Sequence, residues 1–576
     1  MKISSHIKYK NKKTSLVSRE ETQAKMDRRA VAANRIKPRN LYTVADRLEA
    51  RAECYAERDF LIYGDQIFSY QEVNCRANRV AHAALEMGLK PGDTCAIALE
   101  NRPEFFFTWF GLARVGVVVA FLNTQVNGVP LRHAVVSTHA RAVIVGEECA
   151  HHFAMTDGLG DTQLWLLSDP EKPALASDLL LLGNEFQQRL ETAPDSPVSP
   201  GLRPDIKAED PAILIFTSGT TGLPKAAIYS HMRWLSSGDV MEVTLDAKAD
   251  DVFYCCLPLY HGAGATSVTA TALAAGAAIV LRRRFSVRNF WDDICGYRVT
   301  ICQYIGEICR YLLNYYDSAP PHHLRCMVGA GLTRETWNQW QARFGQMDIF
   351  EGWGATEANT NLINLDNYAG SCGRIPDWNK TNFRLVKFDV ATNQYLRDDN
   401  GFLMLCQPGE VGEGIGYIVD HPEMGGGRFE GYTSPEATEQ KILRNVFEAG
   451  DAYWRSGDLL QYDDHGYFYF VDRLGDTYRW KSENVSTQEV AGALGDYSGL
   501  ELINIYGVLV PDHEGRAGMA AIVMQDGCRF DPQSFYDLTA DRLPDYAAPL
   551  FVRISQKADL TTTCLLYTSD AADERY

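Results

Sequence analysis

The side chains best suited to chemistry lie in Thr217-Ser-Gly-Thr-Thr-Gly-Leu-Pro-Lys225, where four hydroxyls, two glycines and a lysine fall within nine residues. Glycines let backbone N–H groups close on an anion, and a lysine adds a point charge. Thr217, Ser218, Gly219, Thr220, Thr221, Gly222 and Lys225 thus read as a loop for polyphosphate. It is not the P-loop of nucleotidases, where glycine, lysine and a hydroxyl residue are contiguous, because Leu-Pro separates Gly222 from Lys225. A flexible polar loop could share this composition, so three further signatures matter, the first with a glycine run upstream of it. In Gly352-Trp-Gly-Ala-Thr-Glu-Ala-Asn359, Glu357 can reach a bound Mg²⁺ and Thr356 an α-phosphate. Upstream, Val328-Gly-Ala-Gly-Leu332 offers a thin backbone that could pass over an adenine ring at Gly329, Ala330 and Gly331. In Trp454-Arg-Ser-Gly-Asp-Leu459, Asp458 is a carboxylate on a tight turn, suited to two ribose hydroxyls, although an Asx turn alone would give the same residues. Val471–Val485 runs from an apolar strand end into charges and a glycine, the make-up of a hinge.

These stretches need rigid elements behind them. Ile213-Leu-Ile-Phe216 has the length and branching of a buried strand leading into the first loop. From Leu41 to about Val145 helix and strand patterns alternate: a helix over Val44–Ala56, a hairpin at Gly64-Asp65, a helix over Tyr70–Met87 and a strand over Thr94–Leu99. Such alternation predicts an α/β fold with largely parallel sheets. Strands dominate from Phe383 to Asp472, and after Arg473 a small α/β unit begins, with helices at Gln488–Leu494 and Gln533–Arg542 and strands at Ile503–Val510 and Met519–Met524. The expected division is a basic, disordered extension (1–40), a large domain of layered sheets and helices in several subdomains (41–473), a small mobile C-terminal α/β lid (474–563) and a non-native tail (564–576).

Composition narrows the function classes. A chain of 576 residues with 46% hydrophobic and 11% aromatic content has material for two or more packed domains. The net charge of −18 argues against nucleic acid as a partner. Residues 1–40 carry twelve Lys/Arg against three acids, a net of +9, so against the total of −18 the remainder carries −27. That start has no apolar core for a secretory signal, and Met26 is an alternative first residue. Fourteen scattered cysteines without a CxxC suit reduced thiols in a cytoplasmic enzyme. Phe105–Leu122 and Ala263–Leu281 approach the length of a membrane span, about 20 residues, yet each reads as a buried helix running into a buried strand, broken at glycine.

The four stretches, in their order and spacing, resemble those of the adenylate-forming superfamily of acyl-CoA synthetases, luciferases and peptide-synthetase adenylation domains. A finer similarity, over about residues 41–563, is to the fatty acid transport protein branch, the very-long-chain acyl-CoA synthetases. It rests on Lys225-Ala-Ala-Ile-Tyr-Ser-His231, Gln303-Tyr-Ile-Gly-Glu-Ile-Cys-Arg-Tyr311, Leu362-Ile-Asn-Leu365 with Gly373-Arg-Ile-Pro376, Phe429-Glu-Gly-Tyr-Thr433, Gly450-Asp-Ala-Tyr453 and Gly475-Asp-Thr-Tyr-Arg-Trp-Lys481. The resemblance implies a ligase that takes a long-chain fatty acid, ATP, Mg²⁺ and CoA through an acyl-adenylate to acyl-CoA. It implies phosphate contacts from Thr217, Ser218, Thr220, Thr221 and Lys225, Mg²⁺ near Thr221 and Glu357, and ribose contacts from Asp458 and Arg473. His261, after Leu257-Pro-Leu-Tyr260, matches the aromatic gate beside the carboxylate, although a core histidine at a strand end would read alike. Gly219, Gly222, Gly329, Ala330, Gly331, Trp353 and Lys481 join the cofactor-binding set. Acyl-pocket walls are expected from 261–268, 303–311 and 329–332. Peripheral association with a membrane is compatible with this reading, as are a sterol-derived or carnitine-like acid as substrate and a binder that has lost adenylation.

Two departures stand out. Ser482 replaces the glycine of Lys-Gly-Glu-Asn-Val, which should slow thioester formation and leave adenylation intact. Asp559-Leu-Thr-Thr-Thr563 follows the pattern Thr-Gly-Thr-Phe-Lys, but Cys564–Tyr576 does not, and Leu565 stands where a lysine is expected. The last dozen residues resemble translated vector sequence, which would leave this chain poor in adenylation.

Overall fold

Three sheets and the helices between them surround the chemistry-bearing stretches. The computed structural model describes residues 16–179, 182–203, 205–217, 223–390, 392–474, 477–480, 483–510 and 516–555. Of the expected site residues, Ser218, Gly219, Thr220, Thr221, Gly222 and Lys481 lie outside these ranges, as do Ser482 and the C-terminal segment with Leu565.

A six-stranded sheet contains Gln163–Leu167, Ala142–Gly146, Thr94–Ala98, Val118–Phe121, Pro211–Thr217 and Lys225–Ser230 in spatial order. All neighbours are parallel except the last pair. An eight-stranded sheet is parallel through Asp348–Trp353, Cys326–Ala330, Ile301–Ile305, Val252–Cys255, Ala278–Leu281 and Asp59–Tyr63, with antiparallel strands at both edges. Helices Val44–Cys54, Tyr70–Glu86, Pro103–Arg114, His231–Leu245 and Thr269–Ala275 contribute to the core shared by these two sheets. Strands covered on both faces read as unbroken apolar runs. Thus Ile213 and Ile215 face the shared core while Leu214 and Phe216 face a second cluster. Trp109 and Trp234 meet edge to face at 5.3 Å between the sheets.

Both long apolar stretches follow the expected pattern. Pro103–Arg114 is a helix and Val118–Phe121 a strand, separated at Gly116 with φ 78°. Thr269–Ala275 passes through Gly276, φ 76°, into Ala278–Leu281. Among the described residues no helix is long and apolar enough to cross a membrane. Every cysteine among them is a free thiol.

A seven-stranded antiparallel sheet follows, with Tyr467–Arg473, Ala452–Tyr462, Val411–Tyr417 and Phe383–Asp389 at its centre. Beyond it, Leu500–Leu509, Arg516–Met524 and Phe551–Ser555 form a three-stranded sheet with helices Thr487–Leu494 and Pro532–Arg542. These elements close a separate core around Val490, Ile503, Ile522 and Phe535.

The basic start differs from expectation. Within 1–40, Arg19–Ala33 is a helix rather than a disordered segment, opened by a capping box in which Ser18 and Glu21 exchange hydrogen bonds. Its grip on the body is polar. The buried Asp366 carboxylate accepts Thr22 Oγ1–H at 2.6 Å and Lys25 Nζ–H at 3.1 Å, and Arg374 approaches it at 3.4 Å. Lys380 pairs with Asp27 at 2.9 Å. Recesses of about 590 and 430 Å³ flank this N-terminal segment, and neither is lined by an expected site residue.

Candidate active site

The loop expected to hold polyphosphate is flanked by two paired strands. Pro211–Thr217 pairs antiparallel with Lys225–Ser230, so Thr217 and Lys225 sit opposite each other at the end that carries the loop. Thr217 Oγ1 donates to the Lys225 carbonyl at 3.4 Å, and Lys225 Nζ donates to Gln440 Oε1 at 3.4 Å. Gly431–Thr433 lies along the other side of Lys225–Ser230, through Ile228 N–H to Gly431 O and Thr433 N–H to Ala226 O, both 3.0 Å. This carries the Tyr432 hydroxyl to both Thr217 and Glu357, and burial together with the Glu357 charge pushes that phenol well up from its ordinary range.

Glu357 is buried, and Lys441 Nζ stands 3.1 Å from its Oε1. The loop that carries it is pinned from below. Arg233, on helix His231–Leu245, donates from Nη2 to the carbonyls of Thr356 and Ala358 at 2.7 and 2.6 Å, while its guanidinium lies 4.0 Å over the Tyr229 ring. Asn359 Nδ2 donates to the carbonyls of Gly416, Tyr417 and Gly427, which ties the same loop to the antiparallel sheet.

Asp458 follows Gly457, whose φ of +81° suits glycine. The Gly457 N–H is held at 2.8 Å by the buried Glu413 carboxylate. Asp458 pairs across the sheet with Arg473, whose Nε stands 3.8 Å from Oδ1, and Trp353 Nε1–H donates to Oδ2 at 2.9 Å. Burial raises the Asp458 carboxyl, and the Arg473 charge opposes that rise. Lys441 Nζ also donates to the Ser456 carbonyl at 3.2 Å, so one ammonium touches both the Glu357 side and the Asp458 strand.

The glycine shelf is built by close approach. A Cβ on Gly329 would come 2.0 Å from the Tyr304 carbonyl, and one on Gly306 would come 2.0 Å from the Gly331 carbonyl. Gly331 has φ +94°, and its N–H donates at 2.6 Å to Glu351, which also accepts from Tyr304 and Leu332. Ala330 and Gly331 face outward, open to a flat ligand. His261 is recessed beside Tyr260, ring centroids 4.7 Å apart, and desolvation pulls its pKa down to about 4, so the imidazole is neutral near pH 7. The next residue, Gly262, has room for a Cβ 3.8 Å from Thr356 Oγ1 and 3.9 Å from Ile215. A six-residue π-helix, Ala263–Val268, then begins; such turns recur at functional sites. Gln303 Nε2 donates to the Ala263 carbonyl at 2.6 Å. The segments expected to wall an acyl pocket, 261–268, 303–311 and 329–332, therefore meet one another.

Among the described site residues, Thr217 and Glu357 meet at Tyr432, Lys441 links Glu357 to the strand of Asp458, Trp353 and Arg473 flank Asp458, Lys225 touches Gln440, and Thr356 lies beside Gly262. Sequence reasoning missed Tyr432, Lys441, Arg233, Glu351 and Glu413. Tyr432 lies inside the stretch Phe429–Thr433 and was within reach of that reading, whereas the other four owe their places to distant contacts.

The chain matches the AMP-binding enzyme family over residues 48–413. It is 36% identical over 545 residues to long-chain fatty acid transport protein 6 of Mus musculus, covering 93% of this chain and 86% of the relative. Its identity is 41% over 503 residues to long-chain fatty acid transport protein 1 of Mus musculus, covering 86% and 76%. A medium/long-chain-fatty-acid–CoA ligase, FadD6 of Mycobacterium tuberculosis, is 35% identical over 532 residues, covering 92% and 85%. Among solved structures, the anthranilate CoA ligase AuaEII in complex with anthranoyl-AMP aligns with TM-score 0.75 at 18% identity, covering 93% of this chain and 97% of that one. ATP-bound MatB from Rhodopseudomonas palustris aligns with TM-score 0.72 at 21% identity, covering 91% and 97%. By sequence along most of its length, the chain belongs to the AMP-binding enzymes, in the branch of the long-chain fatty acid transport proteins.

Proposed function

We propose that this protein is an AMP-forming fatty acid–CoA ligase that activates long-chain or very-long-chain fatty acids. The observation that carries the reading is the meeting of Thr217, Tyr432, Glu357 and Lys441 beside the Trp353–Asp458–Arg473 group, in a chain whose relatives are fatty acid transport proteins and a fatty-acid–CoA ligase. The fatty acid carboxylate attacks the α-phosphorus of ATP. An oxygen–phosphorus bond forms, the bond to the β-phosphate oxygen breaks, and pyrophosphate leaves with the electron pair. The CoA thiolate then attacks the acyl carbon, and AMP departs. Both steps gather negative charge, so positioned cations and hydrogen-bond donors should supply most of the rate.

In this reading Lys225 and the Thr217 hydroxyl face the phosphates, and Asp458 accepts the ribose hydroxyls while Arg473 and the Trp353 indole hold it. The exposed Ala330–Gly331 edge carries the adenine. His261, kept neutral by desolvation, lines the carboxylate end of the acyl channel without adding charge to it. Among the described residues no three His, Cys, Asp or Glu side chains gather into a metal site. Glu357 as a single carboxylate, with two hydroxyls close by, fits Mg²⁺ carried in on phosphates, where it would neutralise the leaving pyrophosphate. Since each CH₂ of a fatty acid favours lipid over water by about 0.8 kcal/mol, the substrate is drawn from a bilayer, and contact with the membrane is peripheral.

The test is mass spectrometry of the full chain incubated with MgATP, CoA and a ladder of saturated acids, scoring acyl-adenylate and acyl-CoA separately. Acyl-CoA from long acids is expected, formed slowly because Leu565 stands where the resemblance implies a lysine. No product with any fatty acid, alongside turnover of an aromatic or sterol-derived acid, would overturn the substrate class.

A further inference from the structure

We propose that Lys441 is a catalytic residue of the adenylation step, contacting the α-phosphate of the nucleotide from the large domain. The inference rests on the ligase reading above and deepens it.

Lys441 is held at a fixed point. It follows the short helix Pro435–Glu439 and precedes strand Ile442–Arg444, which pairs with Ala452–Tyr462. Its N–H donates to the Thr438 carbonyl at 3.0 Å, and its carbonyl accepts the Arg455 N–H at 2.9 Å. The ammonium donates to Glu357 Oε1 and to the Ser456 carbonyl, at 3.1 and 3.2 Å, and its side chain is only 28% exposed. An ammonium has three donors, so two acceptors among the described residues leave one N–H for a ligand.

The neighbours say which ligand. Glu357 is the carboxylate that fits a metal carried on phosphates, and Ser456 stands two residues before the ribose carboxylate Asp458. Adjacent Gln440 touches Lys225, the lysine of the polyphosphate loop. The dipeptide Gln440-Lys441 therefore spans the interval between the outer phosphates and the ribose. In a nucleoside triphosphate that interval is occupied by the α-phosphate. Charge points the same way. A cation entering at Glu357 would repel an ammonium 3.1 Å from the same carboxylate unless an anion came with it. The α-phosphate is that anion, and Lys441 exchanges Glu357 for a non-bridging phosphate oxygen. It transfers no proton. It donates a charge-assisted hydrogen bond to oxygens that gain negative character as the carboxylate–phosphorus bond forms and the bond to pyrophosphate breaks.

A purely structural role would be to neutralise buried Glu357, and the two roles separate by ligand. Calorimetry on the full chain would compare adenosine with AMP for the wild type, Lys441→Met and Lys441→Arg. The expected result for Lys441→Met is AMP affinity down about 10-fold, with adenosine affinity within twofold of wild type; Lys441→Arg should recover most of the loss. Unchanged adenosine binding also certifies that the variant is folded. Pyrophosphate exchange driven by a fatty acid should fall about 100-fold in Lys441→Met, mainly in kcat. Equal weakening of AMP and adenosine, or no weakening of either, overturns the inference and leaves the ligase reading standing. A folded wild type that binds neither ligand defeats the nucleotide reading, and the inference with it.

Discussion

Asp458 is held in two different ways, by a neutral indole N–H that donates at 2.9 Å and by the charge of the Arg473 guanidinium 3.8 Å away. Asp458→Asn keeps an acceptor for Trp353 and removes the charge that two ribose hydroxyls would meet. Adenosine affinity should fall about 10-fold, or ~1.4 kcal/mol, as measured by calorimetry; a loss confined to AMP would move the ribose elsewhere. Glu351 offers a test through pH. Burial raises its carboxyl to about 8 even though Tyr304 and the Gly331 and Leu332 N–H groups favour the ionised form. The folded state therefore holds a proton that the unfolded state releases near pH 4.5, so this contribution is complete below pH 4.5 and is lost as pH rises through about 8. Glu351→Gln should flatten the fall in melting temperature between pH 5 and 8, and an unchanged slope would remove Glu351 as its source. Asp458 and Glu357 were legible in the sequence because each sits on a short, ordered run of glycine and hydroxyl residues. Glu351 was not, because a carboxylate one residue before a glycine in a strand carries no local sign that Tyr304 lies against it.

The elements differ in how openly the sequence declares them. Strand Pro211–Thr217 is written as the apolar run Ile213–Phe216 and forms accordingly, whereas its antiparallel partner Lys225–Ser230 shows only in the fold. The glycine shelf depends on contacts between strand ends that no single run displays. Gly306→Ala would set a Cβ 2.0 Å from the Gly331 carbonyl, against backbone rather than a movable side chain. We expect a loss of ~1–3 kcal/mol, read as a lower melting temperature, together with a raised KM for ATP. A normal KM in a destabilised protein would detach the shelf from the nucleotide. Helix Arg19–Ala33 stayed hidden for another reason. Its composition lacks an apolar stripe, and its attachment comes from Thr22 and Lys25 meeting a carboxylate more than 340 positions away. Asp366→Ala strips both contacts and leaves the buried Arg374 short of an anion, at ~3 kcal/mol or more. Trypsin should then cut within 19–35 sooner than elsewhere, whereas an even cleavage pattern would mean the helix is held by other contacts.

Across the whole molecule, the change of character after Arg473 was readable because a second set of helix and strand patterns begins there with its own apolar positions. The folded chain answers with a separate core around Val490, Ile503, Ile522 and Phe535. Among the described contacts that join that core to the large domain is a buried carboxylate that composition does not reveal. Asp472, at the end of strand Tyr467–Arg473, accepts the Thr487 N–H at 2.7 Å and the Thr487 hydroxyl at 3.2 Å, and so holds the first residue of helix Thr487–Leu494. Ser486 Oγ adds a bond to the Val471 carbonyl at 3.0 Å. The small domain is expected to be mobile, and we propose that in a ligase that adenylates and then thioesterifies this anchor sets where it pivots. Asp472→Ala removes the acceptor while leaving Thr217, Glu357, Lys441 and Asp458 untouched. Hydrogen exchange should accelerate about 10-fold or more over 487–494, corresponding to ~1–3 kcal/mol of lost local protection. AMP affinity should stay within twofold, and thioester formation from supplied acyl-adenylate should slow several-fold. Asp472→Asn, which keeps an acceptor for the Thr487 N–H, should recover part of both. If exchange instead accelerates throughout 41–473, Asp472 supports the large domain itself, and the pivot must be sought after Leu474.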